Sequence, residues 1–302
     1  MSGEVGEAGV DESQVSVPLP VRLRFGHAAV QRVADQVGVD LLHIKGASVD
    51  PSLRPGAYSG SDVDVLVRPS GVVVLDRALR AHGWQLYSTF EHGSPFGHAQ
   101  TYLHPAWGYI DIHRYFPGIR LDPDGAFDVF WADRHRIEIA GVGCDVPSVT
   151  AQAVLLVLNA ARSAKGARVD VVTVWHDADD ARRDEMLQLV GRLHADVAFA
   201  AAAGGLERYR NDREYRLWKV VSGGGSRAAE WWARIRAAPD TRAALRIVMR
   251  APLVNVDHLA HRLGRTPTRG DIVVEFLRRP VFAVVEAVRS AIRRVGPRRV
   301  VR

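Results

Sequence analysis

A chain of 302 residues, 47% hydrophobic and 25% charged, has the composition of an ordinary globular protein able to bury a sizeable core. Its single cysteine, Cys144, excludes an internal disulfide framework and a cysteine-based zinc site, and no apolar run has the length of a membrane span. The net charge of +6 and the pI of about 9.8 suit a polyanionic partner: a nucleotide, RNA or an acidic membrane.

The first twenty residues are acidic and rich in small residues. They lack the basic and apolar regions of a signal peptide and read as a disordered lead-in. A cytoplasmic setting fits the cysteine usage. Residues 21–37 carry a helical apolar face, with Gly38 as the glycine that ends it. Residues 40–45 form a short strand that runs into Lys45-Gly46-Ala47-Ser48, and a Pro/Gly-rich loop containing Arg54 follows. A second strand spans 61–67. The segment 72–82 is a helix closed by Gly83. Strands at 84–90, 99–104 and 109–114 make a meander, and the order so far predicts an α+β domain with a mixed sheet.

The segment after 115 reads as looser. It contains Phe127, Phe130 and Trp131, and Asp122 and Asp124 look like turn residues. An edge strand at 136–139 and an extended piece at 144–147 complete this part. At Ser148 the texture changes to an apolar, serine-capped helix reaching about 164. Further helices are expected at 184–203, 227–237, 241–249 and 272–295. Ser222-Gly223-Gly224-Gly225-Ser226 reads as a flexible linker, and Asp177 as a helix cap more readily than a substrate contact. The expected organisation is a tail at 1–20, an α+β domain at 21–147, and a helical domain at 148–302 with a basic C-terminal tail. The arginine-rich C-terminal segment has an apolar stripe that fits packing on the helical domain, or an anionic membrane or RNA surface.

The chemistry concentrates between residues 41 and 67. Asp62 and Asp64 are two apart on a strand, so both side chains project from one face while Val63, Val65 and Val67 project from the other. Adjacent carboxylates repel, and a cation between them removes the penalty. Oxygen ligands favour Mg²⁺ or Mn²⁺. A third carboxylate should come from a neighbouring strand. Asp111 alternates with Ile110 and Ile112, and His113 shares its face, where it orients phosphate, binds substrate or serves as a base. Each residue also has a plainer reading. The carboxylates fit a solvated strand face, Gly46 a strand-end glycine, Lys45 a cation reaching solvent, and Arg54 a loop cation with no specific role. His92, His98 and His104 lack ligand spacing and read as structural.

In sequence order, Lys45-Gly46-Ala47-Ser48, Arg54, Ser61-Asp62-Val63-Asp64-Val65-Leu66-Val67 and Ile110-Asp111-Ile112-His113 resemble the polymerase-β-like nucleotidyltransferase superfamily. The pattern is most similar to a bacterial family with Lys-Gly, Ser-Asp-x-Asp and Asp-x-His motifs, and it covers roughly residues 40–115. The turn departs from the usual Gly-Ser or Gly-Gly, and the 54–61 loop is long. The resemblance implies a magnesium-dependent enzyme that moves a nucleoside monophosphate from an NTP to an acceptor and releases pyrophosphate. Asp62, Asp64 and Asp111 would be the catalytic residues and metal ligands. Lys45, Gly46, Ala47, Ser48, Arg54, Ser61 and His113 would contact nucleotide. The acceptor would be a small molecule, or a peptide or protein side chain. RNA or tRNA is the alternative acceptor, and an idle nucleotide-binding scaffold the alternative outside catalysis.

Overall fold

The computed structural model describes residues 17–54, 60–91, 96–162 and 168–250, and part of 259–278. Most of the proposed lead-in and nearly all of the arginine-rich C-terminal segment lie outside the described residues. The first helix, α1 (Leu19–Val37), begins two residues earlier than the periodicity predicts and ends at Gly38, whose φ of 65° only glycine adopts freely.

Five strands form one sheet: β1 (Leu41–His43), β2 (Asp62–Val67), β3 (Gln85–Ser88), β4 (Ala99–His104) and β5 (Gly108–His113). Their spatial order is β1-β2-β5-β4-β3. The β2/β5 pair is parallel and the other three pairs are antiparallel, so the sheet is mixed, as expected. Helix α2 (Val72–Ala81) follows β2. One sheet face, carrying Val63, Val65, Val67, Ile110 and Ile112, packs against Leu23, Val30 and Val33 of α1 and Leu75 and Leu79 of α2. Every buried side chain of this kind contributes about 1.5–3 kcal/mol.

The segment expected to be loose contains a helix, α3 (Pro123–Ala132). Asp122 is its cap: the carboxylate accepts a hydrogen bond from the Gly125 N–H at 2.9 Å. Phe127 and Phe130, three apart, are buried on one side of α3 in the second core. Short apolar periods between turn-forming residues disguised this helix. The expected edge strand and extended piece are the two arms of one hairpin, β6 (His135–Ile139) and β7 (Val142–Val146).

Helix α4 (Val149–Ala161) starts at Ser148, whose hydroxyl accepts from the Ala151 N–H at 3.4 Å. Nearly all of its residues are buried, which marks a central helix rather than an amphipathic one. It lies in a core that joins Leu42, Ile44 and Leu66 of the sheet to Met186, Val190, Phe199 and Trp218 of later helices. Those helices are α5 (Arg168–Val171), α6 (Asp180–Arg192), α7 (Asp196–Ala203), α8 (Tyr215–Ser222), α9 (Arg227–Ala237) and α10 (Thr241–Arg250). The single helix expected at 184–203 is therefore two. His194 takes a left-handed φ of 52°, and Ala195 N–H bonds back to Val190 O at 2.9 Å, which ends α6. The cap of α6 is Asp179, accepting from the Arg182 N–H at 2.8 Å, and not Asp177.

The glycines at 223–225 make a close helix stop rather than a flexible linker. Gly225 N–H bonds to Val220 O at 2.8 Å, and Ser226 caps α9. Among the described residues no helix is long and apolar enough to cross a membrane.

Candidate active site

The β2/β5 register places Asp64 directly opposite Asp111, Asp62 opposite Tyr109 and Leu66 opposite His113. Because side chains alternate, Asp62, Asp64, Asp111 and His113 share the face opposite the α1/α2 core. Asp64, Asp111 and His113 each offer one ligand atom, and these atoms lie within 4.8 Å of one another. Asp62 lies outside that tightest group, yet its charge reaches both other carboxylates.

Asp64 is the hub. Its Oδ1 accepts from Lys45 Nζ at 2.7 Å and from His113 Nε2 at 2.7 Å. Burial opposes its ionisation, but Lys45 and the His113 hydrogen bond outweigh burial and hold the carboxyl well below its usual range. Asp111 behaves oppositely. Burial, then the charge of Asp64, pushes it up to about 7, against a hydrogen bond from Thr101 Oγ1 at 2.6 Å. Asp62 is raised by burial and by Asp64. Burial lowers His113 to about 4, so it is neutral near pH 7, with Nε2–H donating to Asp64. Its Nδ1 is buried and has no hydrogen-bond partner among the described residues.

The backbone explains how Lys45 reaches Asp64. Ile44 N–H bonds to Asp64 O at 3.2 Å, which zips the end of β1 onto β2. The chain then turns sharply at Gly46, with φ of 73°, into a 3₁₀ turn over Gly46–Ser48. Ser48 Oγ donates to Lys45 O at 2.7 Å and Val49 N–H bonds to Gly46 O, so the turn is rigid. The Ser48 hydroxyl proton is thereby spent inside the turn. Ala47 is a half-buried member of the same turn.

Ser61 Oγ donates to Asp62 Oδ1 at 3.3 Å. Arg54 is held in a two-pronged pair with Asp170 of α5, Nε to Oδ1 at 2.9 Å and Nη2 to Oδ2 at 2.5 Å. The structure therefore gathers Lys45, Asp62, Asp64, Asp111 and His113, with Gly46–Ser48 alongside. It ties Arg54 to α5.

Of three further side chains at the site, the sequence does not single out Thr101 and Arg162, and His98 reads there as structural. Thr101, opposite Asp111 on β4, follows from strand pairing that a single sequence does not reveal. His98 is buried, its ring 5.0 Å from that of His113. Burial, with the charges of His113 and Arg162, pulls it far below its usual range. Arg162 ends α4, and its charge acts on Asp64 and Asp111. A signal for it existed: it is the first charge after the uncharged run VTAQAVLLVLNAA. His104 packs on Trp84 and Trp107, away from the carboxylates, as a structural residue. His92 lies outside the described residues.

No protein-family model matches this chain, and neither does any curated protein. Solved structures do. The lincosamide antibiotic adenylyltransferase LnuA with lincomycin bound is 15% identical over 55% of this chain and 94% of its own, with a TM-score of 0.34. The antibiotic-resistance factor ANT(2'')-Ia is 14% identical over 63% of this chain and 93% of its own, with a TM-score of 0.36. An antigenic nucleotidyltransferase-like protein from Paracoccidioides brasiliensis is 14% identical over 61% of this chain and 97% of its own, also with a TM-score of 0.36.

Proposed function

We propose that this chain is a metal-dependent nucleotidyltransferase that moves a nucleoside monophosphate from an NTP to a small-molecule acceptor. The observation that carries the reading is the register of β2 on β5, which sets Asp64 against Asp111 with Asp62 beside them. A purely structural strand pair has no use for three carboxylates on one face, Asp64 buried and Asp62 and Asp111 half-buried. They repel, and the raised Asp111 and Asp62 record that repulsion together with burial.

The donor set fits a hard divalent cation. Asp62, Asp64 and Asp111 would hold Mg²⁺ or Mn²⁺, and the bound ion would neutralise charge on the phosphates. His113 fixes the orientation of Asp64 through its Nε2–H, as outer partners of ligands do. The Gly46–Ser48 turn brings backbone close to the phosphates, and Lys45 exchanges its bond to Asp64 for one to the triphosphate. The acceptor oxygen or nitrogen attacks the α-phosphorus. A new bond to phosphorus forms and the bond to the bridging oxygen breaks. Pyrophosphate leaves with that electron pair, and Asp111 takes the acceptor's proton. Positioning and charge neutralisation supply most of the barrier lowering.

Calorimetry of ATP binding with and without Mg²⁺ tests this, on the native chain and on Asp62→Asn/Asp64→Asn. Magnesium-dependent binding that the double variant loses is the expected result. A folded native chain that binds no NTP overturns the proposal.

A further inference from the structure

The carboxylate row has cationic groups on two flanks. On the β1 side stands Lys45, beside the Gly46–Ser48 turn. On the β4 side, from the later helices, stand Arg162 at the end of α4 and Arg234 on α9. The Arg162 guanidinium lies 5.7 Å from the centre of the Phe96 ring and that of Arg234 4.2 Å from it, so both meet on one aromatic ring. Phe96 in turn stacks on Trp218 at 5.6 Å and 18°. Arg234 is 8% exposed and gives Nη2 to Glu230 at 2.5 Å. Arg162 Nη1 is buried and has no hydrogen-bond partner among the described residues.

A guanidinium keeps its charge in such a place. Burying one with an unmade hydrogen bond costs free energy, and a ligand that completes the bond recovers it. Two arginines held beside one aromatic ring can take a planar or tetrahedral anion. The triphosphate already has Lys45 and the glycine turn on the opposite flank.

Resting on the nucleotidyltransferase reading, we propose that Arg162 and Arg234 form an acceptor subsite that takes a small molecule bearing a carboxylate or phosphate group. The anionic group completes the hydrogen bonding of Arg162, with the Arg234 guanidinium beside it. A cationic acceptor is repelled from the same place.

The test uses the full chain saturated with Mg²⁺ and an ATP analogue whose α- and β-phosphorus atoms are bridged by carbon. Inorganic phosphate and succinate are titrated into this complex by calorimetry. Both should bind the native complex. Arg162→Gln should weaken them by about tenfold or more, and by several-fold more than it changes analogue affinity. Arg162→Lys keeps the charge without the fork and serves if the glutamine variant loses its far-UV circular dichroism; it too should weaken both anions. Anions that fail to bind the native complex overturn the proposal. So does a matching loss of analogue affinity in the variants, which would assign the arginines to the triphosphate. If the native chain binds no analogue, the nucleotidyltransferase reading fails separately. Phosphate binding to the free chain, lost in the arginine variants, then upholds the anion subsite, and its absence overturns it.

Discussion

Lys45 Nζ lies 2.7 Å from Asp64 Oδ1, and this part-buried pair ties the glycine turn to the carboxylate row. The lysine holds charge at the position where a divalent cation would otherwise satisfy the same oxygen. Lys45→Met should therefore lower stability in the absence of divalent metal by about 2–3 kcal/mol, below the full cost of breaking a fully buried pair because Lys45 is part-exposed. Added Mg²⁺ should restore part of that loss. Urea unfolding with and without Mg²⁺ measures both effects, and a variant indifferent to metal would separate Asp64 from any cation site.

The motif strands were legible because their information is local. Alternation placed Asp62 and Asp64 on one face, and the Ile110-Asp111-Ile112 pattern placed Asp111 and His113 on the matching face of another strand. What stayed hidden depends on long-range packing. Arg162 is 98 residues beyond Asp64 in the chain, and only the burial of α4 against the sheet brings its charge to the site. Helix α3 was hidden for a related reason. Its stability comes from Phe127 and Phe130 in a core built mostly by later residues.

His113 should act through Asp64 rather than on substrate directly. Its Nε2–H fixes the carboxylate, and such outer partners are worth about 10–100-fold in metal affinity. His113→Gln should weaken Mn²⁺ binding by that order, measured by electron paramagnetic resonance of free Mn²⁺. Asp64→Asn should abolish it. Equal effects of the two substitutions would make His113 a ligand in its own right.

Arg54 and Asp170 join the loop after the glycine turn to α5 through two parallel hydrogen bonds. If that tie is the work of Arg54, Arg54→Asp and Asp170→Arg should each lower stability, by about 1–2 kcal/mol. The double swap should recover a measurable part, since neighbouring charges couple by about 0.5–3 kcal/mol. ATP affinity should follow stability and recover in the swap. Loss of ATP affinity in Arg54→Asp that the swap leaves unrepaired would instead give Arg54 a direct place on the triphosphate.

On the far face of the sheet, His27 of α1 and His43 of β1 share a hydrogen bond between their Nδ1 atoms at 2.8 Å. His43 Nε2 also meets Gln31 Oε1 at 3.1 Å. With His43 Nε2–H donating to Gln31, the shared proton sits on His27 Nδ1, and a second proton on His27 falls on Nε2, which is buried with no hydrogen-bond partner among the described residues. Burial lowers His27 from 6.5 to about 4, so the unfolded chain takes up a proton there before the folded one does. Stability from this group is complete above pH 6.5 and is lost as pH falls through the window down to about 4. Between pH 7 and pH 5 the loss should be about 2 kcal/mol. His27→Gln should flatten that part of the profile in urea unfolding while leaving the carboxylate contributions at lower pH. Parallel profiles for the native and variant chains would show that the pair stays neutral in both states or adapts to the second proton at no cost.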